Sequence, residues 1–443
     1  MRRVFECGSR GKGRVVGIRV LVIGGGGREH AMAWKLTQSA VVDEVICAPG
    51  NPGMEAVGEC VPVAVSDLDG IVRLARERRV DLVAVGPEDP LAAGLADRLE
   101  AEGMPVFGHS AAAARIESSK SWSKAFMSEM EIPTARSIAV HDLEGGIRAI
   151  DELGAGGPVV IKADELMAGK GVVVANNRSE AVFALEETLG GRRDGTVVIE
   201  ERLEGPEVSL LLLTDGSDYR MLEPSCDHKR AFDGDLGPNT GGMGVYTPTS
   251  RIDDALMARI EREIVEPAVR GMAERGHPLR GVLYPGLMMT ADGPKVIEFN
   301  ARFGDPETQV VLPTTEGDLG EWMLAVANGT LGATPQPGRS GAAVGVALAS
   351  GGYPGSYETG FPISGLDALE GDPEVLVFQA GTKRSDAGEI VTSGGRVMTV
   401  VGLGTDLASA RRKAYAAAGE ISFEGMMMRT DIAARELGDT WNS

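Results

Sequence analysis

The chain has 443 residues, of which 43% are hydrophobic and 24% are charged, and this length predicts two to four packed units. Its 64 Asp and Glu residues outnumber its 44 Lys and Arg residues, and the resulting net charge of -20 disfavours nucleic acid as a partner. No apolar run predicts a membrane span, and the four cysteines lack the spacing of a zinc site or a disulfide framework. We therefore predict a soluble, cytoplasmic protein with reduced thiols.

The N-terminal part of the chain predicts a basic segment followed by a parallel sheet. Residues 1–17 are rich in Arg and Lys but have no apolar core segment, so we expect a disordered extension, with an organellar transit peptide as the alternative. From residue 18 to about 107, short β-rich runs alternate with helical runs, which is typical of βαβ units. Strands are predicted at Arg19–Ile23, Val41–Cys47, Asp81–Val85 and Met104–Phe107, and helices at Glu29–Leu36, Leu68–Arg79, Leu91–Glu102 and Glu117–Met130.

The rest of the chain predicts further α/β structure. A strand, a glycine-bearing loop and a second strand are expected over Val159–Val174, followed by a helix from Ser179 and a strand at Thr196–Glu200. More strands are predicted at Val208–Leu213 and within Gly281–Asn300, with a helix at Ala255–Arg275 between them. After about residue 339, a separate C-terminal unit is indicated by strands at Ala342–Ala349, Glu374–Gln379 and Val397–Gly402.

A run of four glycines, Gly24–Gly27, follows the first predicted strand and precedes a helix. Backbone amides and a helix N-terminus that face one point predict an anion site, and Arg28 adds a positive charge there. A nicotinamide dinucleotide fits poorly, because Glu29 or His30 stands where a third glycine should pack. A purely structural turn is the other alternative. Glu88 leaves the third strand at its carboxyl end, where such sheets bind ligands.

Two lysines border the glycine loop in the middle of the chain. Lys162 ends a β run, and Lys170 lies between Gly169 and Gly171. Two ammonium groups and a flexible glycine loop could clamp a triphosphate, although such a hairpin is more often only a turn. It is not a Walker loop, because Gly171 occupies the Ser/Thr position. The strand that stops near Glu200 could offer backbone groups to an adenine edge.

The strongest local pattern is the late strand and the turn after it, Val296–Glu307. Alternation along a strand places Glu298, Asn300 and Arg302 on one face. The residues expected on the opposite face are Ile297, Phe299 and Ala301. Two oxygen ligands followed by a guanidinium predict a magnesium ion that bridges phosphates beside a group stabilising the transferred charge. A buried polar face without a metal is the alternative.

Two segments, Ser225–Arg230 and Gly237–Gly244, combine charged and turn-forming residues. Such residues are poor material for a core and suit a substrate-binding loop. His228 in the first segment is either a general base or a hydrogen-bonded structural histidine.

Taken together, these segments resemble the glycinamide ribonucleotide synthetase family of the ATP-grasp superfamily over nearly the whole chain. The matching motifs are GGGREHA at 25–31, APGNPG at 48–53, GPEDPL at 86–91, IKADELMAGKGV at 161–172, DHKR at 227–230, GPNTGGMG at 237–244 and VIEFNARFGDPET at 296–308. Each motif is modest alone, but their order and spacing are specific. The resemblance implies an α/β ATP-grasp fold, with a Rossmann-like parallel-sheet domain at 18–119, an ATP-grasp domain at 120–340 whose lid covers about 136–206, and a small α+β domain at 341–443.

The resemblance also implies an activity, the ATP-dependent ligation of glycine to 5-phosphoribosylamine with Mg²⁺ or Mn²⁺, carried out by a monomer or weak dimer. It places on the nucleotide the residues Lys120, Lys162, Gly169, Lys170, Gly171, Glu200, Glu201, Leu203 and Glu207. The implied metal ligands are Glu298 and Asn300, and the implied catalytic residues are Arg302, Lys162 and Asp227. The residues implied to contact the substrates are Gly26, Gly27, Arg28, Glu29, Asn51, Pro87, Glu88, Asp227, Lys229, Gly241, Gly242, Met243, Arg302, Asp305 and Glu307.

Three positions depart from the pattern of the family. Glu165 and Met167 stand where glycine and alanine are usual, and Cys226 replaces a common glutamine. The first change adds a negative charge just before the phosphate loop. Two alternatives to the implied activity are an ATP-grasp ligase with another acceptor, which the DHKR motif disfavours, and a nucleotide-binding module without turnover, which the complete set of charged residues disfavours.

Overall fold

The computed structural model describes residues 17–166, 171–190 and 195–438. Gly169 and Lys170 of the predicted phosphate loop lie outside the described residues, as does Met167. Of the predicted N-terminal extension, only Gly17 is described. Among all the described residues, no helix combines the length and apolar character that crossing a membrane requires.

The N-terminal unit is a parallel sheet flanked by helices. Its strands are β1 (Ile18–Gly24), β2 (Val42–Pro49), β3 (Glu59–Cys60), β4 (Leu82–Val85) and β5 (Val106–Phe107), and its helices are α1 (Gly27–Leu36), α2 (Leu68–Glu77), α3 (Glu88–Ala92) and α4 (Leu95–Ala101). The strand order is β3-β2-β1-β4-β5 with every pair parallel, which confirms the predicted sheet. The single helix predicted at Leu91–Glu102 is wrong, because Gly94 adopts a left-handed backbone (φ +83°) and separates α3 from α4.

The last strand of this sheet, β5, is followed in the chain by two further helices, α5 (Ala111–Ser118) and α6 (Lys120–Glu129). The one helix predicted at Glu117–Met130 is wrong, because Ser119 is extended (φ -130°, ψ 107°) and its hydroxyl caps α6 by accepting from the amide of Trp122. The break lies between Glu117 and Lys120, and both of these residues line the cavity described below.

A second, smaller unit is an antiparallel sheet, called here the lid sheet. It consists of β6 (Ser137–Val140), β7 (Val159–Ala163), β8 (Val172–Ala175) and β9 (Val197–Glu201), in the order β6-β9-β7-β8. Helices α7 (Leu143–Gly154) and α8 (Arg178–Gly190) pack against it. This unit has a hydrophobic core of its own, which includes Ile150, Ile161 and Leu185.

The next part of the chain contributes strands to three different sheets. Its strands are β10 (Glu207–Ser209), β11 (Leu212–Thr214), β12 (Tyr219–Met221), β13 (Cys226–Asp227), β14 (Arg230–Phe232), β15 (Leu236–Asn239), β16 (Gly244–Thr247), β17 (Gly281–Thr290) and β18 (Gly293–Asn300). Strands β10, β17, β11 and β12 form an antiparallel sheet in that order, with β18 paired to β17, and it is called here the central sheet. The predicted helix at Ala255–Arg275 is continuous but has three parts, namely α9 (Asp254–Ile260), a π-helical turn (Glu261–Val265) and α10 (Glu266–Glu274).

The late strand β18 carries a bulge that changes which side chains share a face. Gly286 pairs with Glu298 and Leu287 pairs with Val296, so Ile297 is an extra residue in β18. Val296 and Phe299 therefore both enter the same core cluster. The prediction that Ile297 shares the core face with Phe299 is wrong, because Ile297 is only half-buried and does not belong to that cluster.

The C-terminal part completes the fold with α11 (Thr308–Thr314), β19 (Thr315–Glu316), α12 (Leu319–Asn328), β20 (Gly338–Arg339), β21 (Ala342–Ala349), β22 (Val375–Gln379), β23 (Thr382–Arg384), β24 (Ile390–Thr392), β25 (Arg396–Gly404) and α13 (Leu407–Ala418). The C-terminal sheet has the order β13-β16-β21-β25-β22. Two of its strands, β13 and β16, come from the middle of the chain. The loop that joins them, residues 228–243, is thus held by the C-terminal sheet. Short 3-10 helices lie at Met54–Ala56, Asp233–Asp235, Leu331–Ala333 and Leu366–Leu369.

Candidate active site

A cavity of about 1000 Å³ lies between the N-terminal, lid, central and C-terminal sheets. The residues predicted for the site that line it are Arg28, Glu88, Lys120, Lys162, Gly171, Glu200, Glu201, Leu203, Glu207, Asp227, Lys229, Gly241, Glu298, Asn300, Arg302, Asp305 and Glu307. The described residues predicted for the site that do not line it are Gly26, Gly27, Glu29, Asn51, Pro87, Gly242 and Met243. Motifs spread over most of the chain thus meet at one place.

At the lid end of the cavity, two lysines share one carboxylate. Lys162 Nζ lies 2.9 Å from Glu200 Oε1, and Lys124 Nζ lies 3.0 Å from Glu200 Oε2. All three side chains are buried. Burial lowers the pKa of the Lys124 ammonium to about 8, and Glu200 acts against this shift. With two ammonium groups to one carboxylate, this end is positive and suits an anion.

Other contacts bring the lid close to the late strand. Lys162 Nζ also donates to the carbonyl of Ile297 at 3.0 Å, next to Glu298. Lys120 Nζ donates to the carbonyl of Glu165 at 2.8 Å, so the backbone just before the phosphate loop contacts helix α6. The carboxylate of Glu201 accepts from Arg136 Nε at 2.8 Å, which turns this predicted nucleotide residue toward β6.

Glu298 and Asn300 together could bind a divalent cation. Burial would raise the pKa of the Glu298 carboxyl, but neighbouring cations, first Lys229 and then Lys162, outweigh it and lower the pKa, so the group is ionised. Asn300 presents its amide oxygen, which accepts from Arg302 Nη2 at 3.1 Å. Among the described residues no group of three or more His, Cys, Asp and Glu could hold a metal. A carboxylate and an amide oxygen fit Mg²⁺, which takes oxygen ligands and retains water and phosphate oxygens in its shell.

Arg302 lies between two carboxylates. Its Nε is 3.2 Å from Glu88 Oε2, and its Nη2 is 3.0 Å from Glu117 Oε1. Burial would raise the pKa of Glu88, but Arg302 and Arg28 lower it to about 2. Burial raises the pKa of Glu117 although Arg302 opposes the shift. Arg28 Nη1 lies 3.7 Å from Glu88 Oε2, so the two arginines meet at this acid.

The glycine turn is arranged differently from the expected open anion site. The amide of Gly26 donates to Glu29 Oε2 at 2.7 Å, so a carboxylate of the chain itself occupies the N-terminus of α1. Arg28 Nε donates to the other carboxylate oxygen of Glu29 at 2.5 Å. A Cβ atom at Gly86 would lie 2.2 Å from Glu29 Oε1, so this glycine leaves room for the glutamate. Only Arg28 of the turn lines the cavity.

Asn51 connects the N-terminal unit to the C-terminal unit. Its Nδ2 donates to the carbonyls of Gly25 at 2.9 Å and of Gln379 at 2.8 Å. Its Oδ1 accepts from the amides of Gly53 at 2.9 Å and Met54 at 3.1 Å. With its amide group fully engaged, Asn51 holds the turn in place and does not reach into the cavity.

An acid-rich group surrounds Lys229 at the C-terminal sheet. Lys229 Nζ lies 2.6 Å from Glu207 Oε2, and Glu307 Oε1 accepts from the hydroxyl of Tyr284 at 2.8 Å. Shielding from water raises the pKa of Asp227 to about 7, and Glu307 adds to the shift, while Lys229 opposes it. Three carboxyl groups beside one ammonium suit a ligand that carries its own positive charge.

His228 next to this group is neutral at pH 7. Burial and the neighbouring cation Arg429 lower its pKa to about 4. Its ring packs at a tilt against Tyr246, with the centroids 5.9 Å apart. The buried Nδ1 of His228 has no hydrogen-bond partner among the described residues, so this nitrogen gives no support to the hydrogen-bonded structural role, whereas a neutral imidazole can accept a proton.

Among the cavity residues that escape prediction from the sequence are Glu117, Lys124 and Arg396. Arg396, on strand β25, donates from Nη1 to the carbonyl of Gly241 at 2.6 Å and to that of Asp305 at 2.9 Å. Its Nη2 donates to the carboxylate of Asp305 at 2.9 Å. Arg396 thus ties together two predicted substrate loops. It follows two glycines at the start of a strand, and nothing in that local pattern points to a ligand.

The sequence matches the family models of three phosphoribosylglycinamide synthetase domains: the N domain at 18–117, the ATP-grasp (A) domain at 118–308 and the C domain at 343–435. It is 48% identical over 424 residues to a phosphoribosylamine–glycine ligase of Caulobacter vibrioides, covering 95% of this chain and 99% of the relative. It is 47% identical over 427 residues to the protein of that name from Halalkalibacterium halodurans, covering 95% and 98%.

Solved structures agree with the fold. The phosphoribosylamine–glycine ligase of Thermotoga maritima superposes with a TM-score of 0.80 at 33% identity, covering 94% of this chain and 100% of that one. The biotin carboxylase domain of Hydrogenobacter thermophilus 2-oxoglutarate carboxylase superposes with a TM-score of 0.71 at 17% identity, covering 96% and 99%, and shares the fold alone. The predicted α/β ATP-grasp fold is confirmed, and the chain belongs to the phosphoribosylglycinamide synthetase family.

Proposed function

We infer that this chain uses ATP to join glycine to 5-phosphoribosylamine, giving glycinamide ribonucleotide, ADP and phosphate in purine biosynthesis. Relatives that cover nearly the whole chain at close to half identity bear the name of this ligase. The observation that carries the inference is the contact of Lys162 Nζ with the carbonyl of Ile297 at 3.0 Å. It joins the lid lysine to the strand of Glu298 and Asn300 in one cavity.

ATP is proposed to bind at the lid end of the cavity. Lys120 and Lys162 would contact its phosphates, together with the loop at 169–171, and the segment from Glu200 to Leu203 would border the adenine. Glu207, which is paired with Lys229, would reach the ribose. The excess of ammonium groups over carboxylates at this end supports the assignment.

A divalent cation, Mg²⁺ or Mn²⁺, is proposed to bind to Glu298 and Asn300. When bound, it supplies positive charge that neutralises the phosphate oxygens. Glu298 lies half-buried in the cavity and its carboxyl group is ionised. A carboxylate is a suitable ligand for a hard cation.

The reaction is proposed to take place in two steps. The carboxylate of glycine attacks the terminal phosphoryl group of ATP, the bond from that phosphorus to the bridging oxygen breaks and ADP leaves. Lys162 and Arg302 reduce the repulsion between the two anions. The amine of phosphoribosylamine then attacks the resulting glycyl phosphate, and phosphate leaves. Because an acyl phosphate hydrolyses readily, closure of the lid sheet over the cavity would exclude water.

Glycine and phosphoribosylamine are assigned to the remaining parts of the cavity. The ammonium of glycine would lie near Asp227, Lys229 and Glu307, whose excess of carboxylate suits a positive charge. The phosphoribosyl end would lie against Arg28 and Glu88. The residues assigned to hold the surrounding loops in place are Gly26, Gly27, Glu29, Asn51, Pro87, Gly241, Gly242, Met243 and Asp305.

A ligation assay separates this function from its alternatives. Phosphate release from ATP and Mg²⁺ is measured with each substrate omitted in turn, and the product is identified by its mass. We expect release only when glycine and freshly made phosphoribosylamine are both present. Release that does not depend on phosphoribosylamine would favour a ligase with another acceptor, and no release under any condition would favour a nucleotide-binding module.

We further propose that the protein works in the cytoplasm as a monomer or weak dimer, and that the domain bounds are those predicted from the sequence. Light scattering on the purified chain over a range of concentrations tests the oligomeric state. Limited proteolysis tests the domain bounds, because cleavage near residues 119 and 340 is expected first if these are the boundaries.

A further inference from the structure

Two cysteines face each other across neighbouring strands of the N-terminal sheet. Cys47 in β2 and Cys60 in β3 are direct register partners, and both thiols are free. Their side chains belong to the same apolar cluster, so they project from the same face of the sheet. Adjacent strands lie about 4.8 Å apart, within the range of about 4.4 to 6.8 Å between Cα atoms that a disulfide spans.

The two thiols differ in exposure and in acidity. Cys47 is fully buried, whereas Cys60 is half-buried and its Sγ lies 3.6 Å from the carbonyl of Asn51. The contact between the thiols raises the pKa of Cys47 and lowers that of Cys60. Cys60 is therefore the thiol that reacts first with a reagent from solvent, and Cys47 is placed to react with the product.

The thiol pair lies directly under a turn that contacts the glycine turn. A Cβ atom at Gly50 would lie 2.4 Å from Cys60 Sγ and 3.2 Å from Cys47 Cβ, and the left-handed backbone of Gly50 (φ +73°) favours glycine there. A Cβ atom at Gly25 would lie 2.5 Å from the carbonyl oxygen of Gly50. The thiols therefore lie against Gly50, whose amide donates to the carbonyl of Gly24 at 3.1 Å, in the glycine turn that precedes the cavity residue Arg28.

We propose that Cys47 and Cys60 form an oxidisable dithiol site that a peroxide closes to a disulfide, and that closure slows the enzyme by displacing the turn at Gly50. The thiol of Cys60 reacts with hydrogen peroxide to give a sulfenic acid and one water. The thiol of Cys47 then attacks the sulfenic sulfur, the S–S bond forms and a second water leaves. Two thiols lose two electrons and two protons, and one peroxide is reduced to two waters.

The test treats the reduced full chain with hydrogen peroxide, then maps its peptides by mass spectrometry without reduction and measures phosphate release. We expect a peptide linked through Cys47 and Cys60. We also expect turnover to fall by about 10-fold or more, because a displacement of about 1 Å in a positioned site costs up to about 100-fold. Dithiothreitol should restore both readouts.

Matched variants decide between this site and general oxidation. Cys60→Ser should lose the link and resist inactivation, and Cys47→Ala provides the same readout should Cys60→Ser fold poorly. Cys7→Ser, a cysteine outside the described residues, should respond to peroxide as the native chain does. Oxidation of Cys60 to sulfinic acid without a link, or a link to Cys7, would overturn the site. If the link forms and turnover is unchanged, the proposal that the disulfide slows the enzyme is wrong. The effect on turnover rests on the proposed function, whereas the link is read even where reduced protein shows no ligase activity.

Discussion

Replacing Arg302 by lysine tests the centre of the proposed site. The guanidinium contacts Glu88 at 3.2 Å from Nε and Glu117 at 3.0 Å from Nη2, and Nη2 also donates to Asn300. These contacts use the planar fork of the group. A lysine ammonium has one nitrogen and cannot satisfy all of these partners in the same geometry.

The expected loss follows from the proposed role. A donor directed at charge that develops in the transition state is worth about 3 kcal/mol, so Arg302→Lys should lower kcat about 100-fold. The variant should still fold, because the lysine keeps a positive charge near Glu88 and Glu117. Steady-state phosphate release at saturating substrates measures kcat, and circular dichroism checks the fold.

The control substitution is Arg339→Lys, at an exposed ion pair with Glu223. It should change kcat by less than about twofold, because exposed pairs contribute little. If Arg302→Lys kept kcat within about threefold of the native value, the role of Arg302 in phosphoryl transfer would be refuted. Arg302 would then serve only to hold the two glutamates.

Three further predictions address the metal, the glycine end and the turn. Glu298→Ala should abolish turnover that depends on Mg²⁺ while the circular dichroism spectrum is kept, and near-normal rates would show that the metal assignment is wrong. Asp227 has a pKa raised to about 7, so its carboxylate is lost as the pH falls through about 7 and kcat/KM for glycine should fall with it. Asp227→Asn should remove that pH dependence. If kcat/KM for glycine still falls at low pH in this variant, another group is responsible for the fall. Asn51→Ala leaves buried carbonyls and amides without partners, so it should lower the free energy of unfolding by about 3 kcal/mol in urea titrations. A loss below about 0.5 kcal/mol would contradict this structural role.

The sequence predicts most of the elements that build the site, because strong local patterns define them. The buried run Val20–Ile23 and the glycine turn after it identify β1 and the start of α1. The alternation in β18 identifies Glu298 and Asn300 as neighbours on one face. It does not reveal the bulge at Ile297, since the bulge depends on the pairing of β18 with β17.

What the sequence misses depends on contacts between distant parts of the chain. Lys124 lies on α6 between Ser123 and Ala125, and its place in the site comes from its 3.0 Å contact with the distant residue Glu200. Arg396 reaches Asp305 from a strand about ninety positions later in the chain. Strands β13 and β16 join the C-terminal sheet across a similar separation. Local periodicity carries no information on such partners.

The distribution of charge explains why the cavity can hold such different ligands. At the lid end Lys124 and Lys162 share one carboxylate, that of Glu200, so the balance is positive and favours phosphates. Beside Arg302 the charges are nearly balanced, because Glu88 and Glu117 contact its guanidinium and Arg28 also reaches Glu88. In the proposed function, the terminal phosphate of a nucleotide bound at the lid end would lie near the ionised carboxylate of Glu298, which would repel it. The divalent cation proposed to bind to Glu298 and Asn300 would offset this repulsion.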